Sequence, residues 1–429
     1  MSRAASAPSY SLMMVMLGLL SCVAPASIDA YLPAFGALQR EFGIPQETVQ
    51  LTLGVYMLCY AAMLLLHGTL SDSLGRRRVV LGALGFYVLG ALIATAAPDF
   101  GWLLAARALQ GLSAGAGIVV GQAIIRDCYQ GAAAQRSMSY LILVFNLSPA
   151  LAPIIGGQLA VHHGWRSIFV MLGLLAATAL TLCAWHLPET LAPARRQTLS
   201  LRGLATRYRE VLRNGNFTAP GLAFSLVFAA QGLLIGAAPD FIANVLDLPE
   251  TSFAHLFVPL VAGAMAGAAI AARHAGRWRD TQIIGLAYLL MGGSCLAYAI
   301  YLWTALPPAL PWAVLPPALF TCGLAMSVPA MTLHILESVP ALSGTGASVL
   351  GFMQMLAFSI ASGWGVPLTY GHPSVLALAM LACVTASALA WAWWQHLSRI
   401  AAKVQARSTS SAFSIRTPSS PIQPSDHKK

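Results

Sequence analysis

An all-α integral membrane protein of twelve transmembrane helices, arranged as two six-helix bundles with both termini in the cytoplasm, is predicted by three observations. Of 429 residues, 58% are hydrophobic and only 9% charged, whereas a soluble domain carries roughly a quarter charged residues. The apolar residues fall into twelve runs of about 20, the length that crosses roughly 30 Å of hydrocarbon as a helix. Finally, 21 of the 24 Lys and Arg residues fall in the segments that the twelve-span count places in the cytoplasm.

The runs cover approximately 11 to 36, 49 to 69, 79 to 97, 101 to 125, 137 to 160 and 166 to 187, then 217 to 243, 252 to 272, 281 to 303, 310 to 333, 344 to 367 and 374 to 398. Basic residues resist translocation, so they orient the chain. With the N-terminus inside, only Arg40 and Arg166 lie in outer loops, and Arg107 falls within a helix. A cleaved leader ending near Ala26 would leave an odd helix count and spoil this asymmetry. Residues 1–187 and 217–400 are therefore read as the two bundles, and 188–216, with six arginines, as a cytoplasmic linker with room for a surface helix. The tail, 401–429, is rich in Ser and Pro and is expected to be disordered.

The formal charge of +10 does not signal a nucleic-acid partner, because the basic residues are spread over short loops instead of one soluble face. Seven cysteines stand singly, without CxxC spacing or histidine clusters, so neither a metal site nor a disulfide framework is expected. No GxxxxGK[ST] loop is present, which argues against ATP as energy source.

The loop after the second run carries Gly68, Asp72, Gly75, Arg76, Arg77 and Arg78. Gly75 permits a backbone turn that side chains disfavour, and Asp72 can face an arginine or a helix N-terminus. This pattern resembles the signature loop of the major facilitator superfamily. The matching loop of the second half keeps Gly276 and Arg277 but has no acid, a weak echo that fits duplicated halves. Arg107, Gln110 and Gly111 in the fourth helix look like the superfamily's second motif. Pro153, Gly156 and Gly157 in the fifth are similar to its antiporter motif, although Ala152 stands where many members have Gly. Asp29 with Tyr31 and Pro33, Arg126 with Asp127, Gly164-Trp165-Arg166 and Leu187-Pro188-Glu189-Thr190 resemble the branch of bicyclomycin and chloramphenicol exporters.

An ionisable residue inside a membrane span is costly and reads as functional. Asp29 and Arg107 lie at similar depth, about 10 Å below the outer boundary at 1.5 Å per residue. Pro33 cannot donate to the carbonyl of Asp29, which opens the helix beside the acid. A carboxyl taken out of water holds its proton more tightly and a nearby cation loosens it, so Asp29, with Arg107 beside it, is the candidate proton-coupling group. The alternatives are an interfacial Asp29 and an Arg107 that clamps helices. Asp240 is either a substrate-selecting acid or a helix-end acid in water. Candidate cavity residues are Tyr31, Tyr56, Tyr60, Asn146, Gln231, Asp240, Gln354 and Phe358, which combine aromatic faces with a few hydrogen-bonding groups. Small residues allow close helix approach in lipid, so Gly263 and Gly267 are expected to pack against Gly156 and Gly157 across the two halves.

The resemblance implies alternating-access export of small amphipathic molecules from a bacterial cytoplasmic membrane by a monomer. The expected partners are the cargo, protons and lipid, and the ion gradient stands in for a cofactor. A carrier for one metabolite, such as an amino acid, and a non-transporting receptor or scaffold are the other readings. Sequence leaves open the cargo, its direction and the choice of proton or sodium. Enzyme chemistry is not expected, since no nucleophile, base and oxyanion donor are grouped.

Overall fold

The computed structural model describes residues 8–196, 200–249, 251–274, 276–304 and 308–414. All twelve apolar runs are helical, and no strand occurs among the described residues. The first six spans are α1 (Tyr10–Phe42), α2 (Gln46–Leu74), α3 (Arg76–Thr95), α4 (Phe100–Cys128), α5 (Gly131–His163) and α6 (Arg166–His186). The second six are α7 (Gly215–Val245), α8 (Ala254–His274), α9 (Asp280–Thr304), α10 (Leu315–Glu337), α11 (Pro340–Thr369) and α12 (Pro373–Ser414). Exposed tryptophans mark both membrane surfaces, Trp102, Trp303 and Trp312 on the outer side and Trp185 and Trp393 on the cytoplasmic side, as indole rings prefer the headgroup level.

The halves share one packing plan. In the first, α1 packs on α5 and α6, α3 on α4 and α6, and α2 on α4. In the second, α7 packs on α11 and α12, α9 on α10 and α12, and α8 on α10. The two halves meet where α2 crosses α11 and α5 crosses α8. Glycines set how closely helices approach within each half. A Cβ at Gly156 would collide with the Ala30 carbonyl of α1, one at Gly111 with the Tyr56 carbonyl of α2, and one at Gly267 with the Cys322 carbonyl of α10. The expected glycine seam between α5 and α8 is therefore overturned in detail. Those spans do touch, but Gly156, Gly263 and Gly267 are spent on backbone contacts inside their own bundles, and Gly157 is simply buried.

Two further expectations change. The first span does not stop near residue 36; it breaks after Asp29, makes a 3-10 turn at Leu32–Ala34 and continues as Phe35–Phe42. The last helix runs on to Ser414 instead of ending near 400; Ala401 to Arg407 are mostly good helix formers, and lengthening an existing helix needs no new nucleus. The rest of the tail expected to be disordered, 415–429, lies outside the described residues. Within the linker, Leu201–Arg213 forms an amphipathic helix with Leu204 and Val211 buried. Its Tyr208 hydroxyl donates to the Leu65 carbonyl of α2. Burial raises that phenol, against the opposing pull of Thr69 and Arg207, so it remains a donor.

Candidate functional site

The break in α1 has a local cause. Pro33 has no N–H for the Asp29 carbonyl four residues back, and the helix ends at Asp29. The Asp29 side chain is 4% exposed, with no cation at ion-pair distance among the described residues. Gly156 of α5 rests on the carbonyl of Ala30, the residue after the acid. The motif Pro153-Ile154-Ile155-Gly156 thus acquires a physical role: it brings α5 onto the broken end of α1.

Arg107 is fully buried. Its guanidinium lies 4.7 Å from the Tyr31 ring centroid and 4.3 Å from that of Tyr56, and Nη1 donates to Gln110 Oε1 at 3.0 Å. The two tyrosines are locked in turn, Tyr31 accepting from Thr52 at 3.0 Å and Tyr56 donating to the Ala24 carbonyl at 3.0 Å. Arg107 Nε and Nη2 and Gln110 Nε2 are buried without hydrogen-bond partners among the described residues. The expected Asp29–Arg107 juxtaposition is not an ion pair here; the cation faces the aromatic rings, which stabilise it through their quadrupoles.

On the cytoplasmic side, Arg76 gathers its near neighbours Ser71 and Asp72 and two residues far away in sequence, Asp127 and Glu189. Its Nε donates to Asp127 Oδ2 at 3.0 Å, Nη1 donates to Ser71 Oγ at 2.7 Å, and Nη1 also pairs with Asp72. Glu189 Oε1 accepts the Arg76 backbone N–H at 2.9 Å, placing a carboxylate at the positive N-terminal end of α3. Gly75 has φ 102°, and a Cβ there would strike the Glu189 carboxyl. Arg77 donates to the Ala184 carbonyl at 2.7 Å, and Thr190 reaches Asp127 Oδ2 at 3.3 Å. Gly68 is less demanding, with only ordinary contact to Val119. The signature loop is thus a clamp joining α2, α3, α4, the end of α6 and the linker.

The outer side holds the contact that sequence reading missed. Gln50 of α2 donates from Nε2 to the Ser362 carbonyl at 2.7 Å and accepts from the Tyr370 hydroxyl at 2.9 Å. Ser359 donates to the Gly54 carbonyl at 2.9 Å, and a Cβ at Gly54 would lie 3.0 Å from the Gly363 Cα. Burial, then the charges of Asp240 and Glu47, hold the Tyr370 phenol well above its usual range, so it stays a donor. Asp240 is 7% exposed, which removes the water-facing alternative; it accepts from Asn244 Nδ2 at 2.7 Å and from the Gly371 backbone at 3.4 Å. Both α7 and α11 contain a π turn here, Phe241–Val245 and Ala361–Gly365, a feature frequent at functional sites. A polar residue at the start of α2 and small residues in α11 were the available signal, but register across the halves is invisible without the fold.

A cavity of about 250 Å³ lies on the outer side between the ends of α1 and α7. None of the eight cavity candidates lines it. Tyr31 and Tyr56 are fully buried against Arg107, and Tyr60, 5% exposed, stacks on Tyr56. Gln231 and Gln354 are partly buried, the former with an unpartnered Oε1, and Asn146 is exposed. Phe358 is buried, with its backbone against Gly232.

Comparison with known proteins agrees with this fold. The family described as Major Facilitator Superfamily matches residues 17–362. Multidrug resistance protein D of Escherichia coli (strain K12) is 30% identical over 394 residues, covering 88% of this chain and 94% of the relative. The bicyclomycin resistance protein homolog of Haemophilus influenzae is 24% identical over 387 residues, covering 89% and 96%. In fold, the chain is similar to a bacterial homolog of the human lysosomal transporter Spinster, at 17% identity and TM-score 0.70, covering 92% and 98%.

Proposed function

Because the chain belongs to the major facilitator superfamily, we propose that it is a proton-driven exporter of small amphipathic molecules, in the class of bicyclomycin- or chloramphenicol-like drugs, across a bacterial cytoplasmic membrane. The observation that carries the proposal is a buried carboxyl group, Asp29, at the broken end of α1, without an ion-pair partner among the described residues and followed by Ala30, whose backbone packs on Gly156 of α5. A carboxyl away from water favours its neutral form, and gaining water or a cation favours the charged one. Sliding of α5 past the break changes which of these Asp29 meets. Proton and cargo then compete for one conformational cycle.

Arg107 has two guanidinium nitrogens, Nε and Nη2, without hydrogen-bond partners among the described residues. In this reading they receive the Asp29 carboxylate once α1 and α4 shift, and the proton leaves at that step. The tyrosines around Arg107 hold the cation ready without neutralising it. The cytoplasmic clamp on Arg76 holds the first half to the linker, and the outer contact at Gln50 holds the two halves together; in this reading the outer contact opens to release cargo.

The test is proton release by purified protein on adding cargo. Wild type releases protons, and Asp29→Asn, which keeps shape and burial, releases none. Release that survives the substitution unchanged would end the assignment of Asp29.

A further inference from the structure

We infer that the outer cavity between α1 and α7 is a second binding site for cargo, on the exit side of the closure, suited to an uncharged amphipathic molecule with hydrogen-bonding groups. The inference rests on the export reading for the identity of its occupant, but on separate geometry for the site.

One wall of the cavity belongs to the first half, through Phe35 and Gln39 beyond the α1 break and Gln46 at the start of α2. The other belongs to the second half, through Ile242 and Asn244 in the π turn of α7 and Phe253 before α8. A cavity of about 250 Å³ is near the lower end of the few hundred Å³ typical of small-molecule sites, which are mostly apolar with a few placed polar groups and occur at domain interfaces. Phe35, Ile242 and Phe253 supply the apolar surface. Gln39, Gln46 and Asn244 supply primary amides, which donate and accept hydrogen bonds without charge. Arg40 also borders the space. Three neutral amides beside aromatic and aliphatic walls select for carbonyl, hydroxyl or nitro groups on an apolar frame.

The site is tied to the closure beneath it. Asn244 donates to Asp240, Asp240 accepts from the Gly371 backbone, and the adjacent Tyr370 bonds Gln50 of the opposite half. An occupant that engages the Asn244 amide therefore pulls on the same chain of bonds that joins the halves. Its walls come from both halves, so rocking them apart changes the cavity and releases what it holds.

The experiment uses cells expressing the full chain, a membrane-impermeant maleimide added outside, and chloramphenicol as probe. Ala243→Cys places a thiol at an exposed cavity position, and Pro98→Cys places one in the outer loop between α3 and α4; wild type sets the background. At about ten times its apparent Kd, chloramphenicol should slow modification at position 243 about tenfold, because labelling follows the unoccupied fraction, and leave position 98 unchanged. Asn244→Ala or Gln46→Ala in the same background should weaken protection about five- to tenfold, one hydrogen bond's worth. Export of the drug is measured in parallel. Unprotected position 243 in protein that exports the drug overturns the exit site. Protection without export leaves the site standing and overturns the export reading, and absence of both overturns both.

Discussion

The two halves follow one packing plan with different chemistry, and the first spans of each make the contrast clearest. Both α1 and α7 break just before an outer proline, Pro33 or Pro239, and each carries an acid beside the break. In α1 the acid precedes the proline by four residues, the chain tightens into a 3-10 turn, and the carboxyl group has no ion-pair partner among the described residues. In α7 the acid follows the proline by one, the chain widens into a π turn, and the carboxylate is held by Asn244 and the Gly371 N–H. The same device thus leaves one acid without an ion-pair partner among the described residues and ties the other into the closure. The cytoplasmic loops differ in the same sense. Arg76 sits among Asp72, Asp127 and Glu189, whereas Arg273 and Arg277 are exposed with no ion pair among the described residues.

That asymmetry can be broken experimentally. The largest effect is expected at Arg107: Arg107→Ala removes a fully buried arginine from α4 and leaves two tyrosine faces empty, so transport should fall by about 100-fold, the scale of roughly 2.7 kcal/mol. Arg107→Lys should rescue little, since a compact ammonium cannot stack between two rings as the planar guanidinium does. Drug efflux from vesicles measures both, and near-normal transport by the Ala variant would remove Arg107 from the machinery.

Next comes the clamp. Asp127→Ala leaves the mostly buried Arg76 short of a partner and should destabilise the detergent-solubilised protein by about 3 kcal/mol. The more exposed Asp72, with 39% of its side chain accessible, should cost about 1 kcal/mol when replaced by Ala. Thermal unfolding monitored by size-exclusion chromatography gives the order, and equal losses would show that burial does not decide the clamp's strength.

A smaller contrast separates two glycines with positive φ. At Gly75, φ 102° is joined by a collision with Glu189, whereas Gly276, φ 74°, has open space. Gly75→Ala should cost about 2 kcal/mol or more, and Gly276→Ala about 1 kcal/mol, the backbone strain alone. The smallest effect is expected for Arg277→Ala, within about 0.5 kcal/mol of wild type, as for an exposed charge with no structural partner. A loss at Arg277 as large as at Asp127 would mean that the second half has a clamp of its own.

Much of the architecture was legible because lipid imposes a simple rule: a span must be long, apolar and internally hydrogen-bonded. Twelve runs, the break at Pro33 and the burial of Asp29 and Arg107 all follow from it. The site was less legible because its parts come from separate spans. Asp127, Glu189 and Thr190 were noticed only as local resemblances, yet they complete the clamp around Arg76. Tyr31 and Tyr56 look like cavity aromatics by composition, but they pack on Arg107. Gly156 and Gly267 read correctly as close-approach positions and wrongly as facing each other, since periodicity says that a helix has a small-residue face and not which neighbour meets it.

The amino-acid sequence by itself determined the solvent, the number of crossings, their orientation and the positions of the intramembrane charges, because each depends on the free energy of moving a residue between water and lipid. The tertiary structure decided the partners: Arg107 with two tyrosines, Gly156 with Ala30, Gln50 with Ser362 and Tyr370. Those choices depend on contacts between helices distant in the chain, where a rotation of one helix exchanges one neighbour for another without altering its hydropathy.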